Sequence, residues 1–420
     1  MNRRVVFVHG SPDVIGGSQH SMLAEAGALA EAGWEVLIVH GQDESLGAST
    51  AGLFAAELRE PALFAQHPSR SLQQGLRRLG AFLDATQPLA AHLHLWSGPI
   101  LLRYFVGRLP TVATCHVPVC PNGARFHYAH ERICEHAVGR YCLTNGYRHH
   151  GCATTADGAS YGLPAFAGAL ASATWTLRLL VRCRAVIAPS SWQRQMLVAD
   201  GIPADRVTVI PPAIVESDLR GAPSDIAAAP VVLAGGRLMV LKGMHHLLLA
   251  CARVDVPHEV HIAGAGPTLA GLRVLADELE IAGRTRFLGL LAPDRLAVAF
   301  AGAAVVVVPS LWPETFGMVG PEALLAGTPV IAYGGGGIPE WASPEHGVRT
   351  VQAGDVAALA LEIASAIRSP RRVSSAQAAA VRDRFSSERH TATLVRLYER
   401  ILRDEPWPST ERQGAAVSSP

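Results

Sequence analysis

Several things are missing from this sequence, and each absence narrows the reading. No uncharged apolar stretch reaches the roughly 18 residues of a membrane-crossing helix, so no transmembrane segment is expected. Near the N-terminus, Val5-Val6-Phe7-Val8 follows Arg3-Arg4 but stops at His9-Gly10. That run is too short for the core of a signal peptide and reads as a first β-strand, which points to a cytoplasmic chain. There is no surplus of one charge: 36 Lys+Arg face 35 Asp+Glu, for a formal net charge of +1. A broad nucleic-acid footprint needs a basic excess, so nucleic acid is not an expected partner. Charged residues are sparse at 17% against 49% hydrophobic, a balance that allows a sizeable core and argues against wholesale disorder.

The chain has 420 residues, too many for one ordinary core, so two domains of roughly 200 residues each are expected. Both halves alternate short β-branched runs with helix-like segments. In the first half, strands are expected at Val5–His9, Glu35–His40, Ala91–Leu95, Thr111–His116, Ala185–Pro189 and Val207–Pro211, with helices such as Gln19–Ala32 between them. In the second they are expected at Val231–Gly235, His258–Ala263, Arg286–Leu288, Ala304–Val308, Pro329–Ala332 and Val348–Val351. Such alternation implies βαβ units and parallel sheets. The fold class is therefore α/β: two Rossmann-like, doubly wound domains facing an interdomain cleft. Glu216–Pro230, with Pro223 and Pro230, reads as the linker. The division is 1–215 for a first Rossmann-like domain carrying a Cys/His-rich insert at 115–160, 216–405 for a second Rossmann-like domain ending in one long helix near Ser375–Arg403, and 406–420 for a disordered tail.

The most informative stretch is Pro309 to Val330. It follows a buried strand and holds Glu314 in a loop and Glu322 just after Pro321. Proline suits the first position of a helix, and a carboxylate in that first turn is stabilised by the helix N-terminus. Glu322 is thus expected to stay ionised and to accept from the two hydroxyls of a ribose. Between the acids, Phe316, Gly317, Met318 and Val319 would turn backbone N–H groups toward an anion.

Two Glu separated by seven residues, with Phe-Gly after the first and Glu-Ala…Ala-Gly-Thr-Pro-Val from the second, resemble the retaining glycosyltransferases of family 4, which have the two-Rossmann GT-B fold. Gly235-Gly236-Arg237-Leu238…Leu241-Lys242-Gly243 is similar to the family's Gly-Arg-Leu…Lys-Gly segment. Gly264-Ala265-Gly266-Pro267 is similar to its Gly-x-Gly-Pro turn, and Gly16-Gly17 to its N-terminal glycine pair. Val209-Ile210-Pro211-Pro212 departs from its Val-Ile-Pro-Asn by carrying Pro212. The resemblance implies transfer of a hexose-type sugar, with retention, from a nucleoside-diphosphate donor (UDP- or GDP-sugar) to a hydroxyl on a lipid, glycan or small metabolite. It implies that Arg237 and Lys242 grip the diphosphate, Glu322 binds the ribose, Glu314 lies against the transferred sugar, Gly17 and Gly264 let backbone approach the donor, Leu290 borders the base and His116 stands near the sugar. Asp-x-Asp, the usual holder of a catalytic divalent ion, occurs nowhere in the chain, so no catalytic metal is expected. A non-hydrolysing nucleotide-sugar epimerase and a non-catalytic sugar-nucleotide-binding protein are the alternatives, and attachment to the inner face of a membrane stays open.

The seven cysteines are unevenly placed. Cys120, Cys134, Cys142 and Cys152 fall in the insert, among several histidines, without any Cys-x2-Cys pair. A structural zinc on these four, free thiols and disulfides are all compatible with that spacing. Cys183 and Cys251 are expected to be ordinary buried thiols.

Overall fold

The structure is a computed structural model that describes residues 3–11, 17–43, 46–64, 69–94, 98–154, 159–214 and 229–405. Gly16, Leu95, residues 216–228 of the expected linker and the tail 406–420 lie outside the described residues.

The first domain is a seven-stranded sheet of β1 (Arg4–His9), β2 (Glu35–His40), β3 (Ala56–Arg59), β4 (Ala90–His94), β5 (Thr111–Thr114), β8 (Ala185–Ala188) and β9 (Val207–Val209). A separate two-stranded hairpin, β6 (Phe126–His127) and β7 (Arg132–Ile133), lies in the insert. The second domain is a six-stranded sheet of β10 (Val231–Gly235), β11 (Glu259–Ala263), β12 (Thr285–Gly289), β13 (Val305–Val308), β14 (Val330–Tyr333) and β15 (Val348–Val351). The orders are β3-β2-β1-β4-β5-β8-β9 and β12-β11-β10-β13-β14-β15, and all pairings within the two sheets are parallel. Strands such as Val305–Val308 are buried throughout, as parallel strands covered on both faces must be, and so they read as continuous apolar runs. In both sheets the chain order reverses at the first strand, so the crevice beyond the ends of β1 and β4, and of β10 and β13, is where a ligand can lodge.

Three features differ from the sequence reading. β3 has half-exposed alternation instead of an apolar run, and edge strands of that kind carry little sequence signal. The strand expected over Thr111–His116 ends at Thr114, because Cys115 and His116 already turn into the insert. The single helix expected over Ser375–Arg403 is two, Ser375–Arg384 and Ser387–Leu402, each opened by a capping serine, Ser374 and Ser386. The break sends the last helix back onto the first domain. Its Leu394, Leu397, Tyr398 and Ile401 join the core formed by Val5, Phe7, Leu29 and Trp34.

A buried ion pair ties that returning helix down. His390 Nε2 lies 3.2 Å from Glu25 Oε1 on the helix Gly17–Glu31, and both side chains are buried. Burial alone would raise Glu25, but the hydrogen bond and charge of His390 outweigh it and hold the carboxyl below its usual value. Burial would lower His390, yet its bond to Glu25 and that carboxylate's charge raise it on balance. The depressed Glu25 contributes stability above its ordinary pKa of 4.5, lost as pH falls through the folded value. The raised His390 contributes stability below its ordinary pKa of 6.5, lost as pH rises through the folded value. The pair is therefore most stabilising between those two ordinary values. His390→Ala is expected to cost about 3–5 kcal/mol by leaving a buried carboxylate without its charged partner. Urea denaturation near pH 5.5 should show the full difference from wild type, and the gap should shrink toward pH 9; equal stabilities at pH 5.5 would contradict the pairing.

Candidate functional site

The two sheets face each other across a cleft of about 1140 Å³, lined by residues from both domains. Its second-domain wall is built from loops that follow strands. After β10 comes Gly236, with φ +136°, and after β11 comes Gly264, with φ +147°. A Cβ on Gly264 would sit 1.9 Å from the Gly236 carbonyl oxygen, so only glycine lets these two loops abut. Arg237 follows Gly236 and is exposed in the cleft. Its guanidinium has no hydrogen bond or ion pair among the described residues.

Lys242 ends the short turn Val240–Lys242. Its Nζ donates to Glu314 Oε1 at 2.5 Å and stands 5.3 Å from the ring of Trp312. Ser310 Oγ donates to the same oxygen at 2.6 Å. Burial would raise Glu314, but the Lys242 charge and the bonds from Lys242 and Ser310 hold it below the usual carboxylate range. It is thus a fixed anion, with one oxygen taken up by two donors.

The backbone N–H groups of Phe316, Gly317 and Met318 donate to no acceptor among the described residues. The loop is braced from below. Trp341, fully buried, donates its Nε1–H to the Phe316 carbonyl at 2.7 Å. The Gly337 N–H donates to the Glu314 carbonyl at 2.6 Å. The Phe316 ring is packed edge-on against Phe385, with centroids 5.2 Å apart, and so belongs to the core.

Glu322 corrects the sequence reading. Its helix is Val319–Leu325, which starts two residues before Pro321, so proline does not hold the first helical position. The carboxyl has no hydrogen-bond partner among the described residues. Burial pushes it up to about 7, so at neutral pH it is not the fully ionised group expected from its place near a helix N-terminus. Leu290 is 63% exposed, at the rim of the cleft.

From the first domain, Gly17 reaches the cleft opposite Met318, whose Cγ lies 3.6 Å from where a Gly17 Cβ would be. His116 stands beyond β5. Its Nε2 is 3.0 Å from His94 Nδ1 and its carbonyl accepts from Thr315 Oγ1 at 2.9 Å, a hydrogen bond across the cleft. Burial lowers His116 to about 3, despite the nearby Glu25 carboxylate, so the imidazole is neutral. Behind it, His94 Nε2 is 3.6 Å from Glu25 Oε2. Sequence reasoning did not single out Ser310, Trp341, Glu25 or His94; the run Gly334–Gly337 beneath the Glu314 loop was the available signal for part of this support.

Cys120, Cys134, Cys142 and Cys152 are free and partly buried, while Cys183 and Cys251 are in the core. Among the described residues the potential ligand trios spaced within 4.8 Å are Glu25, His92, His94 and Glu131, His245, His246, with no cysteine among them.

Two family matches divide the chain between them: residues 15–217 match Glycosyltransferase Family 4, and residues 223–383 match Glycosyl transferases group 1. The chain belongs to these family-4 glycosyltransferases. Curated relatives include the D-inositol 3-phosphate glycosyltransferase of Mycobacterium avium, 37% identical over 191 residues that make up 43% of this chain and 44% of that one. The enzyme of the same description from Mycobacterium bovis is 31% identical over 255 residues, 56% of this chain and 52% of that one. The matched stretch thus spans about half the length of these relatives. Among solved structures, sucrose-phosphate synthase from Thermosynechococcus elongatus has a TM-score of 0.73 at 20% identity, covering 96% of this chain and 100% of that one. Anabaena HepE in complex with UDP and glucose has a TM-score of 0.71 at 18% identity, covering 94% and 99%. These neighbours support the GT-B arrangement of two parallel-sheet domains. No described helix is long and apolar enough to cross a membrane.

Gly320, between Glu314 and Glu322, has a steric reason to be glycine. A Cβ on Gly320 would lie 2.1 Å from the Trp341 ring. Gly320→Ala must displace the indole that holds the Phe316 carbonyl. Overpacking of this kind costs about 1–3 kcal/mol. Urea denaturation should show that loss together with a change in tryptophan fluorescence, whereas unchanged stability would mean that the loop does not rest on Trp341.

Proposed function

We propose that this family-4 member transfers a hexose-type sugar from a nucleoside-diphosphate donor to an acceptor hydroxyl, with retention of configuration and without a catalytic metal ion. The observation that carries the reading is the set of the Arg237 guanidinium, Lys242 and the amides of residues 316–318 on one wall of the cleft, with neither the guanidinium nor those amides partnered among the described residues. That set matches a diphosphate: a planar fork, a point charge and an amide nest. The UDP complexes of the HepE neighbour favour UDP as the nucleotide.

In this reading the bond between the sugar's anomeric carbon and the phosphate oxygen breaks, and the electron pair leaves with the nucleoside diphosphate. The acceptor oxygen forms the new bond from the same face, and its proton passes to the leaving phosphate. Arg237 and Lys242 stabilise the growing negative charge. Lys242 is already oriented by Glu314, so little reorganisation is needed as the charge develops. Glu314, held by Lys242 and Ser310, acts as a fixed charge against the sugar and not as a mobile nucleophile. Neutral His116 offers a hydrogen bond to the sugar from the first domain. Glu322 receives the ribose hydroxyls, and the lack of Asp-x-Asp supports a role for the basic pair in place of a divalent ion. The acceptor lies on the first-domain side, with a lipid, a glycan and a small metabolite as its candidate classes.

A panel of nucleotide sugars, scored for acceptor-dependent nucleotide release, tests the reading; turnover should persist through a brief exposure to EDTA. Arg237→Ala should lower turnover at least about a hundred-fold, and an unchanged rate would remove it from the site. If Glu322 accepts ribose hydroxyls as a carboxylate, binding of UDP or GDP must favour its ionised form. Calorimetry at pH 7 in two buffers of different ionisation enthalpy should therefore detect release of about half a proton, since the group's pKa in the protein alone is about 7. Glu322→Gln should abolish that release, and equal release by both proteins would overturn the assignment.

A further inference from the structure

His390, Glu25, His94 and His116 run in line along the first-domain side of the cleft, and the transfer proposed above uses only His116. His116 is half-buried and lines the cleft. Its Nε2 is 3.0 Å from Nδ1 of His94. The two ring planes are 13° apart with centroids separated by 5.3 Å, so the rings meet nitrogen to nitrogen and not face to face. His94 Nε2 is 3.6 Å from Glu25 Oε2, and the other carboxylate oxygen, Oε1, is 3.2 Å from His390 Nε2.

The closeness of Glu25, His92 and His94 suggests a metal, but the ring nitrogens are spoken for. His92 Nδ1 is 2.6 Å from the Tyr398 hydroxyl and His92 Nε2 is 2.7 Å from Thr114 Oγ1. That leaves Glu25 Oε2 and His94 Nε2, both buried and without a hydrogen-bond partner among the described residues. Two ligands are fewer than the roughly three or four of a protein zinc site. The line is therefore a hydrogen-bonding one.

We propose that Glu25, acting through His94, fixes the tautomer of His116 so that His116 Nδ1 is the hydrogen-bond acceptor for a hydroxyl of the transferred sugar. The proposal rests on the transferase reading. A neutral imidazole has one N–H and one bare nitrogen, so the His94–His116 contact permits two arrangements. In the first, His94 Nδ1–H donates to His116 Nε2. His94 Nε2 then turns a lone pair toward the carboxylate, and His116 carries its proton on Nδ1. In the second, His94 Nε2–H faces Glu25, His94 Nδ1 accepts from His116 Nε2–H, and His116 Nδ1 is bare.

The carboxylate selects the second arrangement. At 3.6 Å it lies beyond hydrogen-bond length, yet its charge attracts an N–H and repels a lone pair, and buried surroundings screen that charge weakly. Both rings are neutral, because burial lowers His116 to about 3 and His94 well below its usual value. Burial would raise Glu25, but His390 outweighs it and keeps the carboxyl ionised. His390 arrives on the returning helix Ser387–Leu402, so the docking of that helix supports the charge that sets His116. A buried aspartate holds the histidine of a serine-protease triad in one tautomer by the same logic. Glu25 is thus a positioning residue. Its consequence is selectivity: a bare Nδ1 rewards a group that donates, such as a hydroxyl, and gives nothing to one that only accepts.

The first test needs neither donor nor turnover. Long-range proton–nitrogen correlation NMR of the full-length protein, labelled in histidine, reads tautomers directly, and His116→Gln identifies the His116 signals by their loss. His116 should be protonated at Nε2 and bare at Nδ1. Glu25→Gln keeps the shape and removes the charge, so the two His116 tautomers should mix. A proton on Nδ1 in the wild type overturns the proposal whether or not the variant folds, and so does an unchanged single tautomer in folded Glu25→Gln. The second test uses the donor that the nucleotide-sugar panel identifies, with its sugar hydroxyls replaced one at a time by fluorine, which cannot donate. One position should cost the wild type roughly three- to tenfold in kcat/KM and cost Glu25→Gln less. Equal losses in both proteins at every position would overturn the proposal. Absence of transfer from every donor would count instead against the transferase reading, while the NMR result still decides the tautomer.

Discussion

The ion pair between Lys242 and Glu314 is the constraint on which the site depends. Both groups come from loops after strands of the second sheet, one following β10 and the other following β13, so their contact at 2.5 Å fixes those loops relative to each other. Side-chain exposures of 23% and 8% place the pair at the boundary of the cleft, where water screens it weakly. A buried pair like this gives little net stability; its value is positional. It leaves the Lys242 ammonium pointing along a defined line and leaves Arg237 as a cation without a partner among the described residues. A dianionic ligand entering the cleft meets charge that is already oriented.

The supports of this arrangement are mostly steric. Gly236 and Gly264 let neighbouring loops touch, and Gly243, with φ +64°, lets the Lys242 turn approach the Pro309 carbonyl. Trp341 braces the amides of the Glu314 loop from beneath. The first domain is coupled to the same loop by the Thr315–His116 hydrogen bond, and to the second domain by the helix that returns after Ser386 and by the insert. The site is therefore shared between domains, and its geometry follows from how the domains are held as much as from either sheet.

Much of this was legible in the residues. The apolar run Val231–Gly235 coincides with its strand because buried parallel strands have no polar face to blur the pattern. Glycines beside Arg237 and Lys242, and the spacing of Glu314 and Glu322, pointed to one cleft because loops after parallel strands converge there. What could not be read were tertiary effects. The helix N-terminus argued for an ionised Glu322, but the surroundings that bury it come from elsewhere in the fold and win. The partnership of Glu25 with His390 joins residues far apart in sequence, and nothing local announces it. β3 lacks an apolar run since it is an edge, and the serine that splits the last helix is a common residue whose capping role shows only in three dimensions.

A crystal structure with UDP or GDP bound tests the central claim most directly. Fixed protein charge predicts the pyrophosphate within hydrogen-bonding reach of both the Arg237 guanidinium and the Lys242 ammonium, with the residue 316–318 amides turned toward it. A pyrophosphate held by a divalent ion, or lodged away from those two side chains, would contradict it.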